Sequence, residues 1–293
     1  MRLGTSTNLL FGRPDGTRVT LEKTLELVSE AGFRVFDLNF YDWSRPGSIF
    51  LTDDWSSWID GIAAAADRRG LSFGQCHGYF FDFLNPALSK EEYQYHKLLQ
   101  RRSFECIRRL GAKVCVLHPE TAYEAVNYEE QSRQENCAFF EQVLEETEGM
   151  GFRIAIENMC DYGIAPRRKY AAYPEQLKNL AESLASDRIG VCWDFEHADI
   201  MGQNQRECLR YLGDYLIATH VSDTYSKTDN TLMHVLPLTG TIDWKEIMQT
   251  LREIGYRGDF CYEVHNYMNR LPDEVMATGL RLAYEIGVYL MSL

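Results

Sequence analysis

The chain repeats one unit eight times over: a short β-rich run followed by a longer amphipathic segment. The β-rich runs are RLGTSTN at 2–8, RVFDLNF at 34–40, SFGQCHG at 72–78, KVCVLHP at 113–119, RIAIENM at 153–159, IGVCWDF at 189–195, LIATHVSD at 216–223 and DFCYEVH at 259–265. Between them apolar residues recur at helical spacing. Thr20 reads as the N-cap of TLEKTLELVSEAG, and Ser89 with Glu92 has the spacing of a capping box. Gly32, Gly70, Gly111, Gly151 and Gly255 read as helix stops before the next strand. Eight βα units with no Pro- or Ser-rich linker predict an α/β fold of one domain, a (β/α)8 barrel spanning residues 1–293. An open doubly wound sheet would carry a glycine-rich phosphate loop after its first strand. The segment STNLLFGRPDGT has neither GxGxxG nor a Walker pattern.

Composition narrows the function classes. With 45% hydrophobic residues the chain can build a large core, which excludes disorder as its main state. Lys and Arg number 30 against 43 Asp and Glu, a formal charge of −13 that opposes a phosphate-backbone clamp, so no nucleic-acid partner is expected. No run of about 18 apolar residues suggests a membrane span, and the N-terminus does not read as a leader, so the expected location is cytoplasmic. The eight cysteines form no CxxC pair, which argues against a zinc ribbon or disulfide framework and for reduced, buried thiols.

In a barrel the C-terminal strand ends form the active face, so polar residues closing each strand carry the functional information. They are Asp37 and Asn39, His77, His118, Glu157 and Asn158, Asp194 with His197 just beyond, His220 and Asp223, and Glu263 with His265. Strand periodicity sharpens this set. Two residues before Glu157, Asp194, His220 and Glu263 stand Ala155, Cys192, Ala218 and Cys261, all small enough to pack inside a barrel. The interleaved Ile154, Ile156, Val191, Trp193, Ile217, Thr219, Phe260 and Tyr262 are mostly bulky and suit the layer under the helices. The four polar residues should therefore face one interior at similar height.

Three carboxylates and an imidazole in one mouth repel unless a cation sits among them. Oxygen and nitrogen donors without thiolate suit manganese, magnesium, cobalt or iron, with zinc also admissible, and manganese is the metal expected. Bland readings compete for the remainder: His96 lies in a helical segment and reads as structural, Asp37 and Asn39 as caps of loop backbone, His265 as structural or substrate-facing.

IAIEN at 154–158, CWDFEH at 192–197, THVSD at 219–223, PLTGTIDW at 237–244 and YEVH at 262–265 occur in an order and strand placement that resembles the xylose-isomerase-like barrel superfamily. Within it, the chain is similar to the sugar phosphate isomerase/epimerase group, which includes ketose 3-epimerases and inosose dehydratases and, more distantly, endonuclease IV-type repair enzymes. The resemblance implies that Glu157, Asp194, His220 and Glu263 bind one divalent metal and that His197 contacts substrate. It casts Glu157 and Glu263 as the catalytic acid/base pair, exchanging a carbon-bound proton through an enediolate on a keto sugar or related polyol. The implied enzyme is an isomerase or epimerase of carbohydrate metabolism, with a lyase or dehydratase of a 3-keto sugar or inosose as the alternative.

The sequence also departs from that group. A carboxylate usual six residues after the fifth-strand Glu is replaced by Gly163, and an Arg usual six residues after the seventh-strand His by Ser226; Lys227 beside it reads as a solvated loop lysine. His77, His118 and His234 match positions holding additional zinc ions in the endonuclease IV group, but Leu232 stands where that group has an Asp. The preferred reading is one metal, with His77, His118, His197 and His234 binding substrate; a second metal at His77 and His118, bridged by Glu157, is the alternative. Tyr41, Trp43, Tyr79, Phe80 and Phe81 should lie in mouth loops, able to stack on a sugar or aglycone, cap the barrel or form a dimer contact. No organic cofactor is expected, no glycine-rich cradle supports a phosphorylated substrate, and a homo-oligomer is compatible with the chain.

Overall fold

Eight parallel strands close on themselves: β1 (Leu3–Ser6), β2 (Val35–Asn39), β3 (Ser72–His77), β4 (Val114–Leu117), β5 (Arg153–Glu157), β6 (Ile189–Asp194), β7 (Leu216–Val221) and β8 (Phe260–Tyr262). Each pairs with the next, and β8 pairs back to β1 through Cys261 against Gly4. The computed structural model describes residues 1–293 apart from 11, 14 and 162–166, residue 270, and the side chain of residue 230. Gly163 therefore lies outside the described residues. A principal helix follows every strand: Leu21–Ala31, Trp55–Arg68, Lys90–Leu110, Tyr128–Glu146, Pro174–Ser183, Gln205–Leu212, Trp244–Glu253 and Met276–Ser292. None of the described helices is long and apolar enough to cross a membrane.

The helix boundaries follow from local chemistry. Thr20 Oγ1 accepts from the Lys23 amide at 3.3 Å, satisfying one of the orphan donors of the first turn. Ser89 and Glu92 cap one another reciprocally, at 3.2 and 2.9 Å. Gly111, at φ 70°, ends its helix in the left-handed conformation that a Cβ disfavours. Gly151 is no helix stop: the preceding helix ends at Glu146 with Thr147 as its cap, and Gly151 turns the chain into β5 at φ 83°.

The interior behaves largely as the alternation predicts. Val116, Ala155, Cys192 and Ala218 form their own cluster inside the barrel, each fully buried. Trp193, Phe260 and Tyr262 pack outward under the helices, with Phe260 edge-on to Trp244 at 6.0 Å. Ile217 is the exception. The register slips between Val191 and Cys192, which pair with Leu216 and Ala218, so Ile217 joins the inner cluster while Leu216 joins the outer core. Gly190 makes room, since a Cβ there would lie 2.7 Å from Ile217. A second slip, at Phe36/Asp37 opposite Phe73/Gln75, leaves Gly74 as the extra residue. A Cβ on Gly74 would collide with Asp259, whose carboxylate is gripped by Arg2 at 2.8 Å through both oxygens. All eight cysteines are free and seven are buried, as their dispersal implies.

Candidate metal centre

At the C-terminal ends of the strands a cavity of about 380 Å³ opens, with Glu157, His77, His118, His197, His234 and Glu263 among its walls. Asp194 and His220 are buried beneath it. All eight site residues read from the sequence thus meet at one mouth. One donor atom each from Glu157, Asp194, His220 and Glu263 lies within 4.8 Å of the others, a spacing that could hold one cation. Asp194 Oδ2 is buried without a hydrogen-bond partner, and His220 Nδ1 makes no well-aligned hydrogen bond although Glu157 Oε1 lies 3.0 Å away. Buried acceptors are normally satisfied, so donors left open toward a common point fit a coordinated ion.

Each side chain is set in place by its neighbours. Asp194 ends β6 and caps the short helix Phe195–Ile200, its Oδ1 accepting from the His197 amide at 2.7 Å, which leaves Oδ2 for the centre. Asn158 brackets Asp194 by accepting from its amide at 2.6 Å and donating to its carbonyl at 3.0 Å. His197 Nδ1 lies 2.7 Å from the Asn158 carbonyl, so the ring's other nitrogen is turned away from that contact. Glu157 is ringed by imidazoles: His220 Nδ1 at 3.0 Å, His118 Nε2 at 3.1 Å, His77 Nε2 at 3.4 Å and His197 Nδ1 at 3.6 Å. Glu263 meets His220 Nδ1 at 3.4 Å and is steadied by two amides, Asn8 Nδ2 at 3.3 Å and Asn39 Nδ2 at 3.5 Å.

Electrostatics follows from this packing. Burial would push the Glu157 carboxyl up, but His220 and His118 outweigh it and hold it well below the ordinary range. Glu263 is likewise held at about 2, against burial, chiefly by His220 and His234. Burial opposes a charged His220, yet Cys192, Glu157 and Glu263 hold its pKa well above the ordinary imidazole value. Burial drives His118 down to about 4. For Asp194 burial wins, with Glu157 adding to it, and its carboxyl is raised. The cluster thus holds protons on imidazoles where a cation would compensate the same carboxylates.

Several residues acquire roles the sequence reading did not give them. Asp37 does not cap a loop. It accepts from the His77 amide at 2.7 Å and Gln75 Nε2 at 2.9 Å inside the barrel, and its Oδ2 lies 3.4 Å from His220 Nε2. That is the geometry of a carboxylate orienting a ligand histidine. Asn39 does both jobs, its Oδ1 capping the Asp42 amide while its amide reaches Glu263. Asn8, placed by the 3-10 turn Thr7–Leu10 beyond the end of β1, was not singled out at all. Glu196 sits within the CWDFEH run but had no assigned role. Fully buried, it accepts from Ser222 Oγ at 2.8 Å and from the His234 amide at 2.9 Å, pinning His234 at the unfavourable φ of 52°.

Other readings settle as structure. His96 bonds Tyr79 OH at 2.6 Å and stacks on Phe81. Asp223 accepts from Trp244 Nε1 and the amides of Thr224 and Thr241, holding a loop away from the centre. Lys227 is not merely solvated, since it pairs with Asp199 at 3.1 Å, outside the cavity walls. Of the five mouth aromatics only Tyr41 and Phe80 line the cavity, stacked at 4.4 Å. Trp43 packs on Trp58, and Tyr79 and Phe81 turn into the outer core. His265 lines the cavity and stacks on His234 at 4.2 Å. His77, His118 and Glu157 form a second group of donors, His77 Nε2 and His118 Nε2 being 3.1 Å apart.

Comparison with known proteins agrees with the fold. An uncharacterized protein of Methanocaldococcus jannaschii, MJ1311, is 28% identical over 220 residues, covering 71% of this chain and 70% of its own. The structure of 3-keto-D-glucoside 4-epimerase, YcjR, from E. coli superposes with a TM-score of 0.72 at 16% identity, covering 97% of this chain and 99% of its own. The IOLI protein with a binding zinc atom superposes at 0.74 with 18% identity, covering 100% and 98%. The family described as xylose isomerase-like TIM barrel matches residues 25–286, nearly the whole closed barrel and every strand that carries a donor. The chain belongs to the xylose isomerase-like TIM barrel family.

Proposed function

We propose that the protein is a divalent-metal-dependent isomerase or epimerase of a keto sugar or related polyol. The observation carrying this reading is the convergence of Glu157, Asp194, His220 and Glu263 donor atoms within 4.8 Å at the floor of a sugar-sized cavity. A divalent ion held by those four residues, manganese by preference, would supply Lewis acidity toward a carbonyl and its neighbouring hydroxyl, which favours loss of the proton on the hydroxyl-bearing carbon. The protein's own groups do the rest. Glu157, the last residue of β5, and Glu263, just after β8, reach the same point from walls separated by β6 and β7, and one accepts the proton while the other returns it. The product of abstraction is an enediolate. His77, His118, His197 and His234 line the cavity where substrate hydroxyls would lie. The Tyr41–Phe80 stack forms an apolar wall that limits water entry. That the superposable E. coli protein acts on a 3-keto-glucoside supports the substrate class.

The test is solvent-deuterium incorporation into keto sugars by the manganese-loaded protein. Exchange should occur in the wild type and fall about 10²–10⁴-fold in Glu157→Gln and Glu263→Gln, the usual worth of a positioned acid/base group. Exchange surviving in both variants rejects the assignment. Loss of water from the product, seen as a mass change, would place the same proton abstraction in a lyase instead.

A further inference from the structure

Beside the metal cavity lies a second hollow of about 200 Å³ that the mechanism above leaves unused. Asn8, Asp42, Arg45 and His265 border both spaces and so stand between them. The far side is formed by Arg13, Arg18 and Asn269. Arg13 is locked in place: its guanidinium donates to the carbonyls of Met268 and Leu271 and to Asp273, at 3.1, 2.6 and 2.7 Å. This side is therefore a built wall.

Its polar pattern is mixed. Asn8 Oδ1 and Asn269 Oδ1 are both buried without a hydrogen-bond partner. The orientation of Asn8 is fixed by its Nδ2, which donates to Glu263; turning the amide over would set its oxygen against that carboxylate. The wall thus offers acceptors, two amide oxygens and the Asp42 carboxylate, next to guanidinium donors, with Arg45 and Asp42 paired at 3.2 Å. A phosphate or carboxylate would use the guanidinium groups but would face the amide oxygens and Asp42 with the wrong sign. Hydroxyls both donate and accept, and so suit a wall that carries donors and acceptors side by side.

We propose that this hollow is a subsite for a second hydroxylated ring, so that the substrate is a keto sugar of disaccharide size. Its reacting ring lies in the metal cavity and its unreactive ring lies across the Asn8, Asp42, Arg45 and His265 partition. This rests on the keto-sugar reading above and names its substrate class. Binding the distant ring also positions the reacting one.

The test is calorimetric binding to the manganese-loaded protein of methyl 3-keto-glucosides against 3-keto-disaccharides of α and β linkage, with a 3-keto-glucose 6-phosphate as the anionic probe, alongside deuterium exchange. At least one disaccharide should bind tenfold or more tighter than its methyl counterpart. Arg18→Ala and Asn269→Leu should each shrink that ratio several-fold, by raising Kd for the disaccharide. A ratio near one for every disaccharide, no binding by any compound, or variants that weaken both ligands equally would overturn the proposal; tightest binding by the phosphate would overturn it in favour of an anion site. A flat ratio with deuterium exchange intact refutes this subsite alone. An intact ratio with no exchange refutes the metal chemistry and leaves the subsite standing.

Discussion

The ends of β5 and β8 each deliver a glutamate to the same centre, yet they hold it by different physics. Glu157 stands among four imidazoles within 3.6 Å and is almost wholly buried, so its charge is set by titratable neighbours. Glu263 is held by the neutral amides of Asn8 and Asn39 on one side and lies 3.4 Å from His220 Nδ1 on the other, so groups that do not titrate share in fixing its position. The contrast teaches that a paired carboxylate site need not be symmetric. One member can be surrounded by imidazoles, and the other can divide its contacts between an imidazole and neutral amides.

This contrast makes graded predictions. Glu157→Gln has the largest effect, because it removes both a donor and the counter-charge of His77 and His220. Manganese affinity and deuterium exchange should both fall, exchange by about 10²–10⁴-fold. Glu263→Gln should reduce exchange over the same range while disturbing the histidines less, which a histidine-resolved NMR titration would display as smaller shifts than in Glu157→Gln. Equal histidine shifts in the two variants would erase the contrast.

Next in size is Asp37→Asn, which leaves all four donors in place but alters the group facing His220 Nε2. Metal affinity should fall about 10–100-fold, the usual cost of losing such a partner. An unchanged manganese Kd would return Asp37 to a purely structural role.

The pH response has a defined sign. His220 is held protonated above the ordinary imidazole range in the metal-free protein, and a metal must displace that proton. Metal affinity should therefore rise with pH below the raised pKa, by up to about tenfold per unit for each proton released. Calorimetry in two buffers of different ionisation enthalpy counts the protons directly, and zero release would contradict the arrangement. The smallest effect belongs to Asn39→Ala, which removes the longer of the two amide contacts to Glu263, at 3.5 Å against 3.3 Å. Exchange should fall only a few-fold, and less than in Asn8→Ala.

Most of the barrel and the four donors were legible in the sequence for a physical reason. A strand residue facing a narrow interior needs a small neighbour two positions earlier, and Ala155, Cys192, Ala218 and Cys261 meet that need one after another. What escaped were consequences of register. Ile217 reads as outward until the slip against Val191 and Cys192 turns it in beside Gly190. Asp37 reads as a loop cap until the slip at Gly74 places Gln75 and His77 beside it and His220 across from it. Slips of this kind are set by how neighbouring strands close on one another, which no single strand's alternation encodes. Asn8 was missed because the sequence reading ran β1 through residue 8, whereas the chain leaves the strand after Ser6 and turns Asn8 inward. Glu196 was visible as a residue inside a motif, but its link to His234 joins positions 38 apart through the fold.

The central claim is that four side chains from β5 through β8 jointly hold one divalent ion at the floor of the cavity. Metal content after equilibrium dialysis against manganese tests it most directly, comparing the wild type with His220→Ala and Asp194→Asn. The account predicts one tightly held equivalent in the wild type and a loss of at least tenfold in affinity in each variant, with the barrel's circular dichroism unchanged. Retention of the full equivalent by both variants, or no bound metal in the wild type, would contradict it.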